Sequence, residues 1–540
     1  MTRTSYDVRI AARDGVELAT DIWFPDGDGP FHAVLGRTPY NKNNEQIARL
    51  GKLFSGAGFA FAMQDVRGRG DSDGHFQPYV NDARDGTDTI AWLADQQWCS
   101  GKVATIGGSY GGLIQWLTAL EQPPALSAMI AMVSPSDPYV EFPTGAQSPM
   151  MLSWHRLTAA RMRQQVDDVD WESVYRHLPL LTMDEAAGFS APHWREQLGH
   201  PTRDAFWQPK CYQDRLGEID VPVLHVSGWY DDEQIGTPLN FAGMVAGGAS
   251  RQQLLMGPWG HAVNTTRKLG EVDFGPSALI DLDGYWVRWL KAQLDGEPWE
   301  DEPVRMFVMG VNEWRDAPSW PAPDMTPTPL HLRSNGAANS RLGDGRLTWE
   351  APAEDEPDDS YDYSPERPFP FLTGITSAQL GGPDDYSAVE LRGDVLVYTS
   401  EPLTEPLQLI GPVRLVLHAT SSAPDTDFMG KLLDVHPSGF AQRLCDGMVR
   451  ARFRDGFDAE RLLSPGETVE YDIDLWNTAH VVAPGHRLRV EVASAAFPKF
   501  DRNLNTGEPL ATASRMETAH QTVHHDAARP SHVLLPVVPG

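Results

Sequence analysis

Apolar and polar positions alternate with period two on either side of Asp14-Gly15, with Val8 and Ile10 before the pair and Val16, Leu18, Thr20 and Ile22 after it. Period two marks a strand with one buried face and Asp-Gly is a tight-turn dipeptide, so the first thirty residues predict a β-hairpin. The pattern then predicts a short apolar strand at 33–35, a helix over 46–54, a strand over 59–64, a helix over 82–97, a strand over 103–107 and a helix over 110–120. Strands that alternate with helices call for a mostly parallel sheet covered by helices. From 147 to 212 the rhythm changes: apolar residues recur at helical spacing (Met151, Leu152, Trp154, Leu157) and no β-branched run interrupts them, which predicts a helical insertion. Alternation resumes with strands over 221–226, 253–256 and 304–309 and helices over 237–245 and 278–294.

Beyond Pro318 a stretch rich in proline, 318–323, opens a region of short strands separated by turn residues, among them 413–418, 468–475 and 487–492. This predicts an all-β sandwich of jelly-roll type. The expected organisation is an α/β core in two parts (1–146 and 213–325), a helical cap (147–212) and a β-sandwich (326–540). The acidic segment 354–362 reads as an exposed loop.

Composition narrows the function classes. The 540 residues carry 44 basic and 74 acidic side chains, a net charge of -30 spread along the chain. Such a surface repels phosphate backbones and anionic lipid, so neither nucleic acid nor membrane is an expected partner. Cys99, Cys211 and Cys445 are far apart and show no CxxC spacing, which argues against a disulfide framework and a zinc knuckle. No apolar run is long enough to span a bilayer and the opening MTRTSYDVRIAARDG has no signal-peptide h-region, so a cytoplasmic location is expected.

The strongest chemical signal is Gly107-Gly108-Ser109-Tyr110-Gly111, a G-x-S-x-G between a predicted strand and a predicted helix. Small flanking residues permit a turn sharp enough to expose the serine hydroxyl at the helix N-terminus. A serine hydroxyl needs a base, and the base an orienting carboxylate; in this type of sheet they follow in the order Ser, acid, His. The chain supplies Asp231 and Asp232 after the strand at 221–226, and His261 after the strand at 253–256. Only one of the adjacent carboxylates can face the imidazole, and Asp231 is the first choice. One donor for the oxyanion is the backbone N–H of Tyr110. The loop 36–42 has no run of glycines to supply the second, and the hydroxyl of Tyr40 is a candidate, against the plainer reading of an amphipathic tyrosine at a cleft edge. Trp154 and Trp259 are candidate walls of a substrate pocket, or plain packing. The loop 65–74, rich in Gly and Asp, lacks the arrangement of a phosphate cradle and reads as an Arg-carboxylate network. No metal or cofactor is called for.

These motifs together resemble the cocaine esterase-like branch of the serine hydrolase family that also holds Xaa-Pro dipeptidyl-peptidases and α-amino-acid ester hydrolases. The resemblance includes Thr38-Pro39-Tyr40-Asn41-Lys42, Gln97-Trp98-Cys99, Gly108-Ser109-Tyr110, Gly228-Trp229-Tyr230-Asp231 and Gly257-Pro258-Trp259 leading to His261. In the β region it covers Asp425-Thr426-Asp427-Phe428, Asp446-Gly447, Pro484-Gly485-His486-Arg487 and Phe497-Pro498-Lys499-Phe500-Asp501. It implies an α/β-hydrolase core with a helical cap and a C-terminal jelly roll. Ser109 is then the nucleophile, Asp231 the acid and His261 the base, with the Tyr40 hydroxyl and the Tyr110 amide as the oxyanion hole. It further implies a small-molecule ester as substrate and allows a homodimer. One departure concerns 376–389, where such proteins place apolar residues over the acyl pocket and this chain carries Gly381-Gly382-Pro383-Asp384-Asp385. The alternatives are an Xaa-Pro dipeptidyl-peptidase or α-amino-acid ester hydrolase, which must hold a free ammonium, and a carbohydrate- or partner-binding protein with an inactive core. The acidic residues available to an ammonium are Asp137, Glu141, Asp232 and Glu233.

Overall fold

The hairpin around Asp14-Gly15 forms as β1 (Thr4–Ala11) and β2 (Glu17–Trp23), paired antiparallel with Ala11 opposite Glu17. The computed structural model describes residues 3–141, 146–231 and 235–539. Six further strands continue the sheet: β3 (Phe31–Thr38), β4 (Ala60–Asp65), β5 (Cys99–Gly108), β6 (Leu126–Met132), β7 (Val223–Gly228) and β8 (Gln252–Gly257). Their spatial order is β1-β2-β4-β3-β5-β6-β7-β8, followed by Val304–Val308 and Glu313–Ala317. From β4 across to Val304–Val308 every pairing is parallel. The loops that follow these strands therefore gather at one edge of the sheet. The chain runs outward from β3 to β4 and returns to β5 on the other side of β3. The crevice of this topological switch lies at the carboxyl ends of β3 and β5, which is where open parallel sheets bind ligands.

Both faces of the sheet are buried. Ala33 and Leu35 pack with Leu93, Leu113 and Trp116 of the helices α2 (Asp82–Ala94) and α3 (Tyr110–Leu120). Between them Val34 faces the other way, toward Phe54 of α1 (Glu45–Gly56) and Trp286 and Trp289 of Leu282–Leu294. A strand buried on both faces has no polar alternation, which is why the pattern predicts only 33–35 of β3 and assigns no strand to β6.

Between β6 and β7 the chain leaves the sheet for short helices, Met151–Leu157, Trp171–Tyr175, Met183–Ala186 and Pro192–Leu198. They close over Trp171, Tyr175, Met183 and Trp194, and the cluster includes Leu380 and Phe497 from the β region. The cap is therefore braced by the β region.

The C-terminal strands form a second, eleven-stranded sheet built around Leu407–Ser421 and Thr468–Val482, paired antiparallel from Leu407↔Val482 to Thr420↔Thr468. Both run well beyond the predicted 413–418 and 468–475. In the second half of Thr468–Val482 every residue is buried, because it lies against the edge of the first sheet: Met309 N–H donates to Ala479 O at 2.9 Å and Val481 N–H to Met309 O at 2.9 Å. The charged motifs of this region are internal. Arg450 bridges Asp427 and Asp501, Arg452 meets Asp425, and Lys499 meets Asp446. Asp501 Oδ1 also accepts from Gln147 N–H at 2.9 Å, at the start of the cap. Among the described residues no helix is long and apolar enough to cross a membrane.

Candidate active site

Ser109 sits between the end of β5 and the start of α3 with φ 57° and ψ -128°, a backbone conformation that costs a non-glycine residue free energy and persists only where the surroundings enforce it. Those surroundings are glycines. A Cβ on Gly107 would lie 2.5 Å from the carbonyl oxygen of Gly111, so neither the turn nor the helix can approach with larger residues there. Ser109 N–H is held by the carbonyls of Met132 and Val133, each at 3.1 Å, at the end of the neighbouring β6. The turn places Ser109 at the N-terminus of α3, the positive end of the helix dipole, where negative charge is favoured.

The acid and base candidates come together at the same edge. Asp231 follows β7 and is buried; its Oδ1 lies 2.8 Å from His261 Nδ1, and its Oδ2 accepts the Ser227 hydroxyl at 2.7 Å. An ionised carboxylate only accepts, so Nδ1 carries the proton and Nε2, on the opposite side of the ring, carries the lone pair. The imidazole is about one-fifth exposed, open enough to meet substrate. Asp232 and Glu233 lie outside the described residues.

Tyr40 stands in the loop after β3, beside the crevice. The Trp154 indole N–H donates to its hydroxyl at 2.9 Å, which polarises the O–H and strengthens it as a donor. The loop is held by Arg69, almost fully buried, whose Nε donates to Pro39 O at 2.8 Å and Nη1 to Thr158 O of the cap at 2.9 Å. Burial pushes the Arg69 guanidinium down from its ordinary value, against the opposing pull of the Asp65 charge. The segment 65–74 is thus architectural: Asp65 accepts from Lys42 N–H and Asp71 N–H, and Arg67 bridges Asp14 and Asp85. As the first residue of α3, Tyr110 has an N–H with no acceptor inside the helix. Its side chain is anchored beneath, the hydroxyl donating to Asp82 Oδ2 at 2.6 Å. Burial first, and the Asp82 charge second, hold that hydroxyl well above its usual pKa, so it stays protonated.

A cavity of about 330 Å³ opens under the cap, lined among others by Leu113, Met151, Trp154, His193, Phe206 and Trp207. Trp154 thus joins the cavity to Tyr40. Trp259 does not border this cavity: it is buried against Trp289 and Leu255, its indole N–H donating to Ala278 O at 2.7 Å, and it braces the His261 loop from below. Asp137 is buried and its Oδ1 accepts from Tyr212 N–H at 2.7 Å and Gln213 N–H at 3.3 Å, so it holds backbone. The Glu141 side chain lies outside the described residues, whereas Glu196, which the sequence pattern does not single out, lines the cavity.

Ser227 and Gln379 also escape the sequence pattern. Ser227 has a local signal, being the last polar residue on β7 before the acid. Gln379 has none, since it reaches His261 across 118 positions from the β region. A further polar cluster, Asp434, His436 and His486, groups residue types that can hold a metal. Its carboxylate already accepts from His486 Nδ1 at 2.8 Å and from His480 Nε2 at 2.9 Å, which accounts for it as a hydrogen-bonded network.

Residues 14–263 match the X-Pro dipeptidyl-peptidase (S15 family) domain, and residues 298–534 match the X-Pro dipeptidyl-peptidase C-terminal non-catalytic domain. The chain is 36% identical to the cocaine esterase of Rhodococcus sp. (strain MB1 Bresler), over 98% of each chain. It is also similar to the crystal structure of an aminopeptidase from a marine sediment Thaumarchaeota archaeon, with a TM-score of 0.88, 27% identity and coverage of 100% of this chain and 96% of that one. The structure of an α-amino acid ester hydrolase matches equally well, at TM-score 0.88 and 27% identity over 99% of this chain and 96% of that one. With two-domain matches along most of its length and a relative above one-third identity end to end, the chain belongs to the X-Pro dipeptidyl-peptidase (S15) family in its cocaine esterase-like form, hydrolases with an α/β-hydrolase core and a C-terminal all-β domain.

Proposed function

We propose that the protein cleaves carboxylic esters by acyl transfer to Ser109 and then to water. The observation that carries this reading is the Asp231–His261 contact at 2.8 Å, placed on the loops after β7 and β8 at the edge where the strained Ser109 turn ends β5. In the first step His261 Nε2 takes the Ser109 proton as Oγ attacks the ester carbonyl, forming the C–O bond to the enzyme. The carbonyl oxygen becomes an oxyanion, held by the Tyr110 N–H and the Tyr40 hydroxyl. The imidazolium, stabilised by Asp231, gives its proton to the departing alkoxide. Water repeats the sequence on the acyl-enzyme and releases the carboxylic acid.

Replacing Tyr40 by Phe is expected to lower kcat roughly 10²- to 10³-fold with little change in KM, the usual effect of losing one oxyanion donor. Steady-state kinetics on a p-nitrophenyl ester check it; a KM effect alone would place Tyr40 in substrate binding instead.

The alternative substrate class carries a free amino terminus, as the names of the archaeal aminopeptidase and the amino acid ester hydrolase invite. A desolvated ammonium needs carboxylates that converge on it, and among the described residues Asp137 is committed to backbone. Glu196 is the cavity carboxylate that could serve, at 3.7 Å from His193. The expected result is that kcat/KM for p-nitrophenyl butyrate exceeds that for Ala-Pro-p-nitroanilide by at least about two orders of magnitude, an alkoxide leaving more easily than an amine. Comparable rates, or loss of anilide cleavage when its amine is blocked, would replace the ester reading with the aminopeptidase one.

A further inference from the structure

We propose that Gln379, from the domain whose family name calls it non-catalytic, is the positioning residue that sets the acid and the base against one another. This rests on the reading of Asp231 and His261 as acid and base. One carboxamide clamps both loops. Its Oε1 accepts the backbone N–H of His261 at 2.9 Å, and its Nε2 donates to the backbone carbonyl of Tyr230, the residue before Asp231, at 2.7 Å. The second Nε2 proton goes to Gly381 O at 2.7 Å, which closes the side chain back on its own strand of chain. Both amide protons and one oxygen lone pair are therefore engaged, and the amide plane fixes two backbone groups, those of Tyr230 and His261, on separate loops of the first sheet.

The approach requires a glycine. A Cβ on Gly260 would lie 2.1 Å from Gln379 Oε1 and 2.7 Å from its carboxamide carbon, while no backbone atom is among the nearest neighbours. Gly260 does not have a positive φ, so its small size answers to the amide and not to the turn. The segment that carries Gln379 is itself tied down on both sides. Ser377 N–H donates to the Ser153 hydroxyl of the cap at 3.0 Å, the Tyr175 hydroxyl of the cap donates to Ile375 O at 2.9 Å, and Leu380 is buried in the cap core. Thr373 Oγ1 donates to Gln379 O at 3.1 Å and accepts from Gly381 N–H at 2.9 Å, bracing the turn. Cap, β-sandwich and the two catalytic loops thus meet at one side chain. The segment that carries Gln379 thus supplies geometry to the two loops.

Misplacing reacting groups by about an ångström lowers rates by up to about 10²-fold without changing what the site can bind. The test is a double-mutant cycle on p-nitrophenyl butyrate with Gln379→Ala, Gly260→Ala and the pair, alongside His261→Ala. Expected is a kcat roughly 10- to 100-fold lower for Gln379→Ala, a KM within about twofold and a melting temperature within a few degrees of the parent. Gly260→Ala should slow the enzyme through its clash with the amide, and the pair should be no slower than Gln379→Ala alone, since the clash then has no partner. The inference is overturned if Gln379→Ala keeps kcat within twofold while His261→Ala is inactive, or if the two effects multiply. If His261→Ala retains full activity, the acid-base reading itself has failed, and the clamp inference with it.

Discussion

Ser109→Ala leaves a folded protein whose kcat is lower by about 10⁴-fold or more. Ser109 is half-buried and its hydroxyl is expected to contribute bond formation only, whereas the fold around it depends on the backbone bonds to Met132 and Val133 and on Gly107 and Gly111, which alanine at 109 leaves in place. Alanine tolerates the unusual dihedrals of Ser109 about as well as serine does, so the melting temperature should barely move. The residual rate comes from the oxyanion donors and from substrate binding. A purified variant that turns over at the parental rate, or a parent that a fluorophosphonate probe labels at some other residue, would remove Ser109 as nucleophile.

Asp231→Asn is the second large effect, expected at about 10⁴-fold in kcat. Asn at this position would still take the Ser227 hydroxyl on its oxygen, so the loop keeps its shape. Its NH₂ would face His261 Nδ1, however, and the imidazole would place its proton on Nε2 in response. The nitrogen that should receive the serine proton would then already carry one. The rate of fluorophosphonate labelling should fall together with kcat, because both need the same deprotonation. Asp232→Asn should do much less; if it proves the more damaging of the two, the acid has been assigned to the wrong neighbour.

The two variants differ in how far their rationale could be read before the fold was known. A strand, a glycine-flanked serine and a helix in immediate succession specify a sharp, strained turn by local sterics alone, and α3 runs over Tyr110–Leu120 as its apolar spacing predicts. The loops carrying Asp231 and His261 were also legible, because each directly follows a strand and parallel strands deliver their following loops to one edge. Strand ends were less legible wherever both faces are covered, as in β3, β6 and the inner half of Thr468–Val482, since burial on two sides erases the alternation that marks a strand.

What local pattern determines about this protein, then, is the order of strands and helices, the sharp turn at Ser109 and the succession of serine, aspartate and histidine candidates along the chain, all consequences of forces between residues a few positions apart. The tertiary structure alone decides which side chains complete the site. Trp154 reaches Tyr40 across 114 positions, Arg69 joins the Tyr40 loop to the cap across 89, and Gln379 reaches His261 across 118. Hydrogen bonds of this kind leave no period in the sequence, because the partners are brought within 3 Å by the packing of cap and sandwich against the sheet and by nothing in their own neighbourhoods. The same holds for Trp259, whose indole could equally have faced a pocket or the core until the contact with Ala278 showed it buried.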